Sequence, residues 1–129
     1  MLVVDDDPDD RALAARALKS ELDGAEIVEI GDESSLSDAL RELAAPALAV
    51  TDHALGWTDG FTVFAQIKAA YPDCPVVMFT GVGDEEVAVA AMKAGFADYL
   101  IKTRLKRLGT AARAVMERAG RGVGCLRAG

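Results

Sequence analysis

Short apolar segments alternate with amphipathic helical segments five times along the chain. The apolar segments predict strands over residues 2–4, 25–30, 46–52, 76–80 and 99–101. The segments that follow them carry apolar residues at helical spacing. They predict helices that begin at or near Asp7, Ser34 or Ser35, Phe61, Asp84 and Leu105. Strands that alternate with helices of about 10–15 residues are typical of βαβ units, right-handed crossovers and a parallel sheet.

Local signals support several of these boundaries. Asp7 and Pro8 suit the N-cap and the first position of a helix, because aspartate accepts hydrogen bonds from free amides and proline needs no amide partner there. Gly95 follows the fourth helical segment and suits its C-terminal end. The segment 46–52 is apolar until its last two residues, which indicates a central strand covered on both faces.

Length and composition indicate one globular domain. Of the 129 residues, 51% are hydrophobic and 27% are charged. No apolar stretch approaches the roughly 20 residues of a membrane span, and the start lacks a secretory signal. We therefore expect a cytoplasmic protein without a membrane partner. Residues 1–119 are predicted to form the domain, and residues 120–129, with four glycines, a flexible tail or the start of a linker. The first strand is short at its start, so we expect the natural protein to have residues before it.

The net charge of −7 is distributed unevenly. Residues 104–129 carry seven basic side chains and one acidic side chain, whereas the rest of the chain is strongly acidic. This acidity argues against nucleic acid as a direct partner, and we interpret the basic end as the solvated face of the last helix. Cys74 and Cys125 lack CxxC spacing, so we expect no structural disulfide and a buried Cys74.

Four of the predicted strands end in polar side chains. The first is followed by Asp5 and Asp6, the third ends in Asp52, the fourth ends in Thr80, and the fifth is followed by Lys102. In an open parallel sheet, sites form at the carboxyl ends of the strands, next to the point where the strand order reverses. We therefore expect three carboxylates, one hydroxyl and one ammonium to converge in a single pocket.

Such a pocket suits phosphoryl transfer. Clustered carboxylates need a cation, and Mg²⁺ prefers oxygen ligands and acts where phosphate is handled. A Mg²⁺ ion held by Asp6 and Asp52 would leave room for a phosphoryl oxygen. Asp52 could then act as a nucleophile and form an acyl phosphate. Lys102 would neutralise developing charge, and the hydroxyl of Thr80 would donate to a phosphoryl oxygen.

The motifs that carry this chemistry resemble those of the receiver domains of response regulators in two-component signalling. They are LVVDDDPDD at the start, TD with GWTDG after it, FTG after the fourth strand, and DYLIK. The resemblance covers about residues 2–118. It implies a flavodoxin-like, doubly wound, five-stranded parallel sheet of order 2-1-3-4-5 with helices on both faces. It also implies phosphoacceptor chemistry with Mg²⁺ and a partner that carries phosphohistidine, either a histidine kinase or a histidine phosphotransfer protein.

The resemblance assigns the metal and acceptor roles residue by residue. Asp52 is the phosphoacceptor, and Asp5 and Asp6 are the acid pair at the metal. Asp6 would bind Mg²⁺ directly. Asp5 would bind it through water or would contact the groups that bind it. The backbone carbonyl of Ala54 corresponds to the main-chain metal ligand.

The same resemblance assigns the signalling roles. Thr80 and Lys102 would sense and pair with the phosphoryl group, and Tyr99 would be the aromatic switch, with simple edge packing as the alternative. The switch would work by a shift of population between two conformers. A candidate homodimer interface lies on the face of the fourth and fifth helices. Ala54 and Val82 are both apolar at positions that tune phosphoryl lifetime, so we predict slow self-dephosphorylation.

Two residues depart from the family pattern. Thr103 follows Lys102 where a proline in a cis bond is usual, and Gly56 stands where another proline is frequent. A cis bond before a residue other than proline costs about 3 kcal/mol, so we expect a trans bond and an altered loop. Both departures bear on the face made by the fourth helix, the fifth strand and the fifth helix.

Several other polar residues have simpler interpretations. His53 follows Asp52, but side chains alternate along an extended segment, so its ring should point away from Asp52 and be non-catalytic. Trp57 is interpreted as loop packing or a partner contact. The helix-start acids are interpreted as N-terminal helix residues and not as ligands; they are Asp7, Asp9 and Asp10.

Three functions compete for this pattern. The first is a signalling receiver that is no enzyme beyond its own phosphorylation and dephosphorylation. The second is an aspartyl-phosphate hydrolase, which would need a substrate pocket and a positioned acid or base that the sequence does not supply. The third is a receiver that binds partners without phosphorylation, against which the complete set of acidic residues argues.

Overall fold

Five strands and five helices alternate in this computed structural model, which describes residues 1–81 and 83–128 and, in the last helix, side chains up to residue 119. The strands are β1 Leu2–Val4, β2 Val28–Ile30, β3 Ala49–Thr51, β4 Val76–Thr80 and β5 Asp98–Ile101. The helices are α1 Pro8–Glu21, α2 Glu33–Glu42, α3 Gly60–Ala70, α4 Glu85–Ala94 and α5 Leu105–Ala128. The predicted alternation is confirmed.

The strands form one parallel sheet in the order β2-β1-β3-β4-β5. Val4 of β1 lies between Ile30 and Thr51, and Thr80 of β4 lies beside Ile101. This register brings the carboxyl ends of β1, β3, β4 and β5 to the same edge of the sheet. The chain reverses its strand order next to β1, so this edge is where a doubly wound fold forms a site.

Two buried apolar clusters lie on opposite faces of the sheet. Successive side chains of a strand point to opposite faces, so Leu2 and Val4 enter one cluster and Val3 enters the other. The helical members are Leu36, Ala39, Val63, Ile67 and Ala91 in the first cluster and Ala14, Leu18, Leu108, Ala112 and Val115 in the second. The helices α2, α3 and α4 therefore cover one face, and α1 and α5 cover the other, which confirms the predicted arrangement of helices on both faces. Each fully buried leucine or isoleucine contributes about 1.5–3 kcal/mol.

Aspartate residues begin four of the helices. The N-caps of α1, α2, α3 and α4 are Asp7, Asp32, Asp59 and Asp84. The predicted start of α2 at Ser34 or Ser35 is wrong, because the Ser35 amide donates to the Asp32 carboxylate at 2.7 Å and the helix begins at Glu33. Gly95 ends α4 with a φ of 110°, a left-handed conformation that glycine adopts without steric cost.

Two strands are shorter than predicted. The pairing of β2 and β3 with β1 begins opposite Leu2, at Val28 and Ala49, so residues 25–27 and 46–48 lie outside the strands. The strand β3 ends at Thr51, so Asp52 follows it directly. The buried position predicted for Cys74 is confirmed. In the residues that the structure describes, no helix combines the length and the hydrophobicity needed to cross a membrane. The helix α5 continues to Ala128, but the side chains from residue 120 onward lie outside the described part. The interpretation of residues 120–129 as a flexible tail or the start of a linker therefore remains a prediction.

Candidate functional site

An ammonium–carboxylate cluster occupies the carboxyl edge of the sheet. Lys102, which follows β5, places Nζ 2.6 Å from Oδ2 of Asp5 and 2.8 Å from Oδ2 of Asp52. The same nitrogen lies 2.9 Å from Oδ2 of Asp10, in the first turn of α1. The structure therefore brings together three predicted site residues from the ends of β1, β3 and β5 and adds a fourth residue from a helix.

Burial and hydrogen bonding act in opposite directions on the charges of this cluster. Burial by itself would lower the pKa of Lys102, but the hydrogen bonds to Asp5, Asp52 and Asp10 hold it above its ordinary value. Burial raises the pKa of Asp5, although the hydrogen bond from Lys102 opposes that rise. The ammonium thus stays charged, and removal of Lys102 would leave buried carboxylates without compensation.

Backbone amides fix the orientation of the two central carboxylates. The Asp7 amide donates to Oδ1 of Asp5 at 2.9 Å, and the His53 amide donates to Oδ1 of Asp52 at 2.6 Å. Arg11 donates to the backbone carbonyl of Asp5 at 2.8 Å and holds the loop between β1 and α1. Each central carboxylate therefore has one oxygen on an amide and the other on Lys102.

Asp6 lies in the loop that follows β1, and Ala54 lies in the loop that follows β3. A methyl group added to Gly56 would lie 3.1 Å from Oδ2 of Asp6, so the exposed Asp6 carboxylate faces the loop that follows β3. Ala54 forms a single antiparallel bridge with Asp59. The hydrogen bonds of that bridge run from Leu55 to Thr58 and from Gly60 to His53. The carbonyl of Ala54 takes part in neither bond.

Oxygen is the ligand type that a hard divalent cation prefers. Among the residues that the structure describes, no group of three or more acidic, histidine or cysteine side chains is arranged to enclose a metal ion. Mg²⁺ does not need such a cage, because it commonly binds one or two carboxylates and keeps several waters. Asp6, Asp52 and the carbonyl of Ala54 are the groups that could hold it.

Thr80 and Tyr99 lie on the side of the site toward α4. Thr80 is buried, and its carbonyl accepts the amide of Lys102 at 2.8 Å, which fixes the backbone of the lysine. Tyr99 packs against the first core cluster, and its hydroxyl accepts the amide of Asp84 at 3.1 Å. Tyr99 therefore links β5 to the N-terminus of α4, and its switch role remains a prediction.

The remaining predictions from the sequence concern single residues. The ring of His53 packs edge-on against Phe61 of α3 with centroids 5.9 Å apart, which agrees with the prediction that it points away from Asp52. Trp57 packs against the first core cluster. The peptide bond before Thr103 is trans, as expected. Val82 lies outside the described residues, so the prediction on phosphoryl lifetime stays a prediction.

Sequence reasoning missed the contact made by Asp10. It was interpreted as a helix-start residue, and its amide does donate to the N-cap Asp7 at 3.2 Å. In the first turn of a helix, however, a side chain leans toward the N-terminus and can reach groups beyond the helix end. The only available signal was that Asp10 lies in the first turn of the helix that follows Asp5 in the chain.

Fold and site together define a class, the doubly wound α/β proteins with a flavodoxin-like strand order and an acidic pocket at the switch point. Comparison with known proteins then specifies the family. The sequence profile described as "Response regulator receiver domain" matches residues 1–113. The chain belongs to the response regulator receiver domain family of two-component signalling.

Individual relatives agree with this assignment. The receiver domain of NtrX from Brucella abortus is 36% identical and superimposes with a TM-score of 0.80, covering 90% of this chain and 97% of that chain. An uncharacterised 14.6 kDa protein of Leptolyngbya boryana is 36% identical over 79% of this chain and 77% of its own length. NtrX of Azorhizobium caulinodans, a nitrogen assimilation regulatory protein, is 39% identical over 79% of this chain.

The matched relatives differ in length. The chain covers 22% of NtrX from Azorhizobium caulinodans and 54% of the photosynthetic apparatus regulatory protein RegA from Cereibacter sphaeroides. The likeness to these longer proteins concerns their receiver portion. Their whole-protein activities do not transfer to this chain.

Proposed function

We propose that the chain is a phosphoacceptor receiver in which Asp52 takes a phosphoryl group from a phosphohistidine. The donor is a histidine kinase or a histidine phosphotransfer protein, and the exchange takes place in the cytoplasm. The supporting observation is the position of Lys102, whose Nζ lies 2.8 Å from Asp52 and 2.6 Å from Asp5. An ammonium in direct contact with the acceptor carboxylate is placed to offset the negative charge of a phosphoryl group on Asp52.

The transfer is an in-line displacement at phosphorus. A carboxylate oxygen of Asp52 forms a bond to phosphorus as the bond between phosphorus and the imidazole nitrogen breaks, and the imidazole leaves with that electron pair. The amide of His53 holds one oxygen of Asp52 in place. Lys102 donates to an oxygen of the transferred group, and the hydroxyl of Thr80 donates to another.

Mg²⁺ would be held by Asp6, Asp52 and the carbonyl of Ala54, with Asp5 supporting it through water. When bound, the ion supplies positive charge that offsets the charges of the carboxylates and the phosphoryl oxygens. The exposed Asp6 side chain and the Ala54 carbonyl, which is outside the hydrogen bonds of its bridge, are the observations that support this set. The chain itself supplies the orientation of each oxygen.

The signal would leave through the side of the site toward α4. Movement of Thr80 toward the phosphoryl group would change the surroundings of Tyr99, whose hydroxyl contacts the start of α4. Val89, Met92 and Ile101 are exposed on or beside this face and suit a homodimer or a partner contact. The output is conformational, so the chain acts as a regulatory module and not as an enzyme with a separate substrate.

Mass spectrometry after incubation with acetyl phosphate and Mg²⁺ tests the proposal. Wild-type protein should gain one phosphoryl group that hydroxylamine removes, as expected for an acyl phosphate. The Asp52→Asn protein should gain none, and Asp9→Asn, an exposed neighbour of the pocket, should behave as wild type. An unmodified wild type would instead support a receiver that binds partners without phosphorylation. Turnover of small phosphate esters would support the hydrolase.

A further inference from the structure

The ammonium of Lys102 uses all three of its N–H bonds in the unmodified protein. A lysine ammonium has three N–H bonds and accepts none. Three carboxylates lie within hydrogen-bonding distance of Nζ: Asp5 at 2.6 Å, Asp52 at 2.8 Å and Asp10 at 2.9 Å. Lys102 can therefore donate to a further anion only if one of these three contacts is released.

Asp10 is the contact that costs least to release. Its side chain is 38% exposed, compared with 6% for Asp5 and 13% for Asp52, so water can replace the ammonium around its carboxylate. The N-terminus of α1 also favours a negative charge at this position. Asp5, by contrast, is buried and would lose its main source of compensation.

We propose that Asp10 is a positioning residue that holds the third N–H of Lys102 in the unmodified protein and yields it to an oxygen of the phosphoryl group on Asp52. This inference rests on the proposed function, because it requires Asp52 to carry that group. The proposal means that Asp10 would lower the affinity of the site for a phosphoryl group. The ion pair between Asp10 and Lys102 opposes occupation of the site, since it must break before Lys102 can engage the phosphoryl oxygens.

Beryllofluoride, a phosphoryl mimic that binds without covalent turnover of a donor, provides the test. Its binding to the full chain is titrated at saturating Mg²⁺ by fluorine NMR, so that changes in metal affinity do not enter the comparison. The variant is Asp10→Asn. The matched control is Asp9→Asn, which removes the same charge one residue away, on an exposed side chain without a contact to Lys102.

The expected result is about two- to fivefold tighter binding by Asp10→Asn than by Asp9→Asn, the size of effect that a partly exposed ion pair has. Asp10→Glu restores a carboxylate and should return the affinity toward the wild-type value, which a purely structural role would not require. Asp10→Ser serves as a second neutral variant if circular dichroism shows that Asp10→Asn is unfolded.

The outcomes separate this inference from the proposed function. Equal affinities of the Asp10→Asn and Asp9→Asn proteins would overturn the inference alone, because the contact between Asp10 and Lys102 would then not oppose occupation of the site. Weaker binding by Asp10→Asn would overturn it as well. If wild type and both variants all fail to bind beryllofluoride, the proposed function fails and the inference fails with it.

Discussion

The hydroxyl of Tyr99 accepts the backbone amide of Asp84 at 3.1 Å, which joins the fifth strand to the first residue before α4. The Asp84 carboxylate in turn accepts the amides of Glu86 and Val87. The tyrosine thus supports the residue that caps the helix. A change in the position of this ring would be transmitted directly to the N-terminus of α4.

Tyr99→Phe should loosen the start of α4. Loss of the hydroxyl removes a hydrogen bond and should cost about 0.5–1.5 kcal/mol of unfolding free energy. Hydrogen exchange followed by NMR should show faster exchange for the amides of residues 84–88.

Tyr71→Phe is the matched control for this experiment. The hydroxyl of Tyr71 donates to the carbonyl of Leu43 at 2.6 Å, at the other end of the molecule. Its loss should leave exchange at residues 84–88 unchanged. The link from Tyr99 to α4 would be contradicted if both variants affected those amides equally.

Ionisation of Asp5 and ionisation of Asp32 should change the unfolding free energy of the metal-free protein in opposite directions as pH rises. Burial raises the pKa of Asp5 in the folded state, so the folded protein binds more protons and loses stability as pH rises above about 4. A hydrogen bond from the Ser35 amide lowers the pKa of Asp32, so its stabilisation is present above about pH 4 and is lost as pH falls.

Urea unfolding in EDTA between pH 3 and pH 7 measures both effects. Relative to wild type, Asp5→Asn should gain stability as pH rises, and Asp32→Asn should lose stability over the same range. Parallel curves for the two variants would contradict the assignment of the Asp5 shift to burial.

Regular periodicity made most of the fold predictable from the sequence. The β4 segment is apolar throughout and matched its predicted range, and Asp7, Pro8 and Gly95 marked helix ends through rules that depend on neighbouring residues only. The start of α2 was harder to predict from the sequence. Asp32, Ser34 and Ser35 all make good N-caps, and local rules do not decide which of them accepts the hydrogen bond.

The candidate site was predictable where it depends on strand ends and unpredictable where it depends on a helix. Topology alone places Asp5, Asp52 and Lys102 at the same edge of a parallel sheet. The contact between Asp10 and Lys102 joins residues 92 positions apart. Its geometry depends on how α1 leaves the sheet, which the local sequence pattern does not specify.

Gly60→Ala should destabilise the protein and disturb the acceptor. A methyl group at Gly60 would lie well inside contact distance of the backbone carbonyl oxygen of Asp52 and close to the Cα of His53. Backbone atoms cannot rotate away as a side chain can, so the expected cost is about 1–3 kcal/mol. Urea unfolding measures the loss.

Gly56→Ala is the control for this substitution. There the added methyl group meets only the carboxylate of Asp6, at 3.1 Å, and that side chain is free to rotate. The unfolding free energy should change by less than about 0.5 kcal/mol. A similar loss of stability in both variants would show that the close approach of Gly60 to Asp52 is not the cause.

Mg²⁺ should stabilise the protein through Asp6. The proposed function makes this exposed carboxylate a direct ligand, so Asp6→Asn should weaken Mg²⁺ binding by at least about tenfold. At a free Mg²⁺ concentration 100 times the dissociation constant, wild type should gain about 2.7 kcal/mol of unfolding free energy, and EDTA should reverse the gain.

Urea unfolding of wild type, Asp6→Asn and Asp9→Asn at that fixed Mg²⁺ concentration separates a ligand from a general effect of charge. Both variants remove one negative charge near the N-terminus of α1, but only Asp6 faces the loop that follows β3. Stabilisation by Mg²⁺ should fall by about 1.3 kcal/mol or more in Asp6→Asn, because the stabilisation follows the logarithm of the ratio of Mg²⁺ concentration to dissociation constant and that ratio is at least tenfold smaller. It should stay near the wild-type value in Asp9→Asn. If the two variants lose the same amount, Asp6 acts on the ion only at long range and is not a ligand.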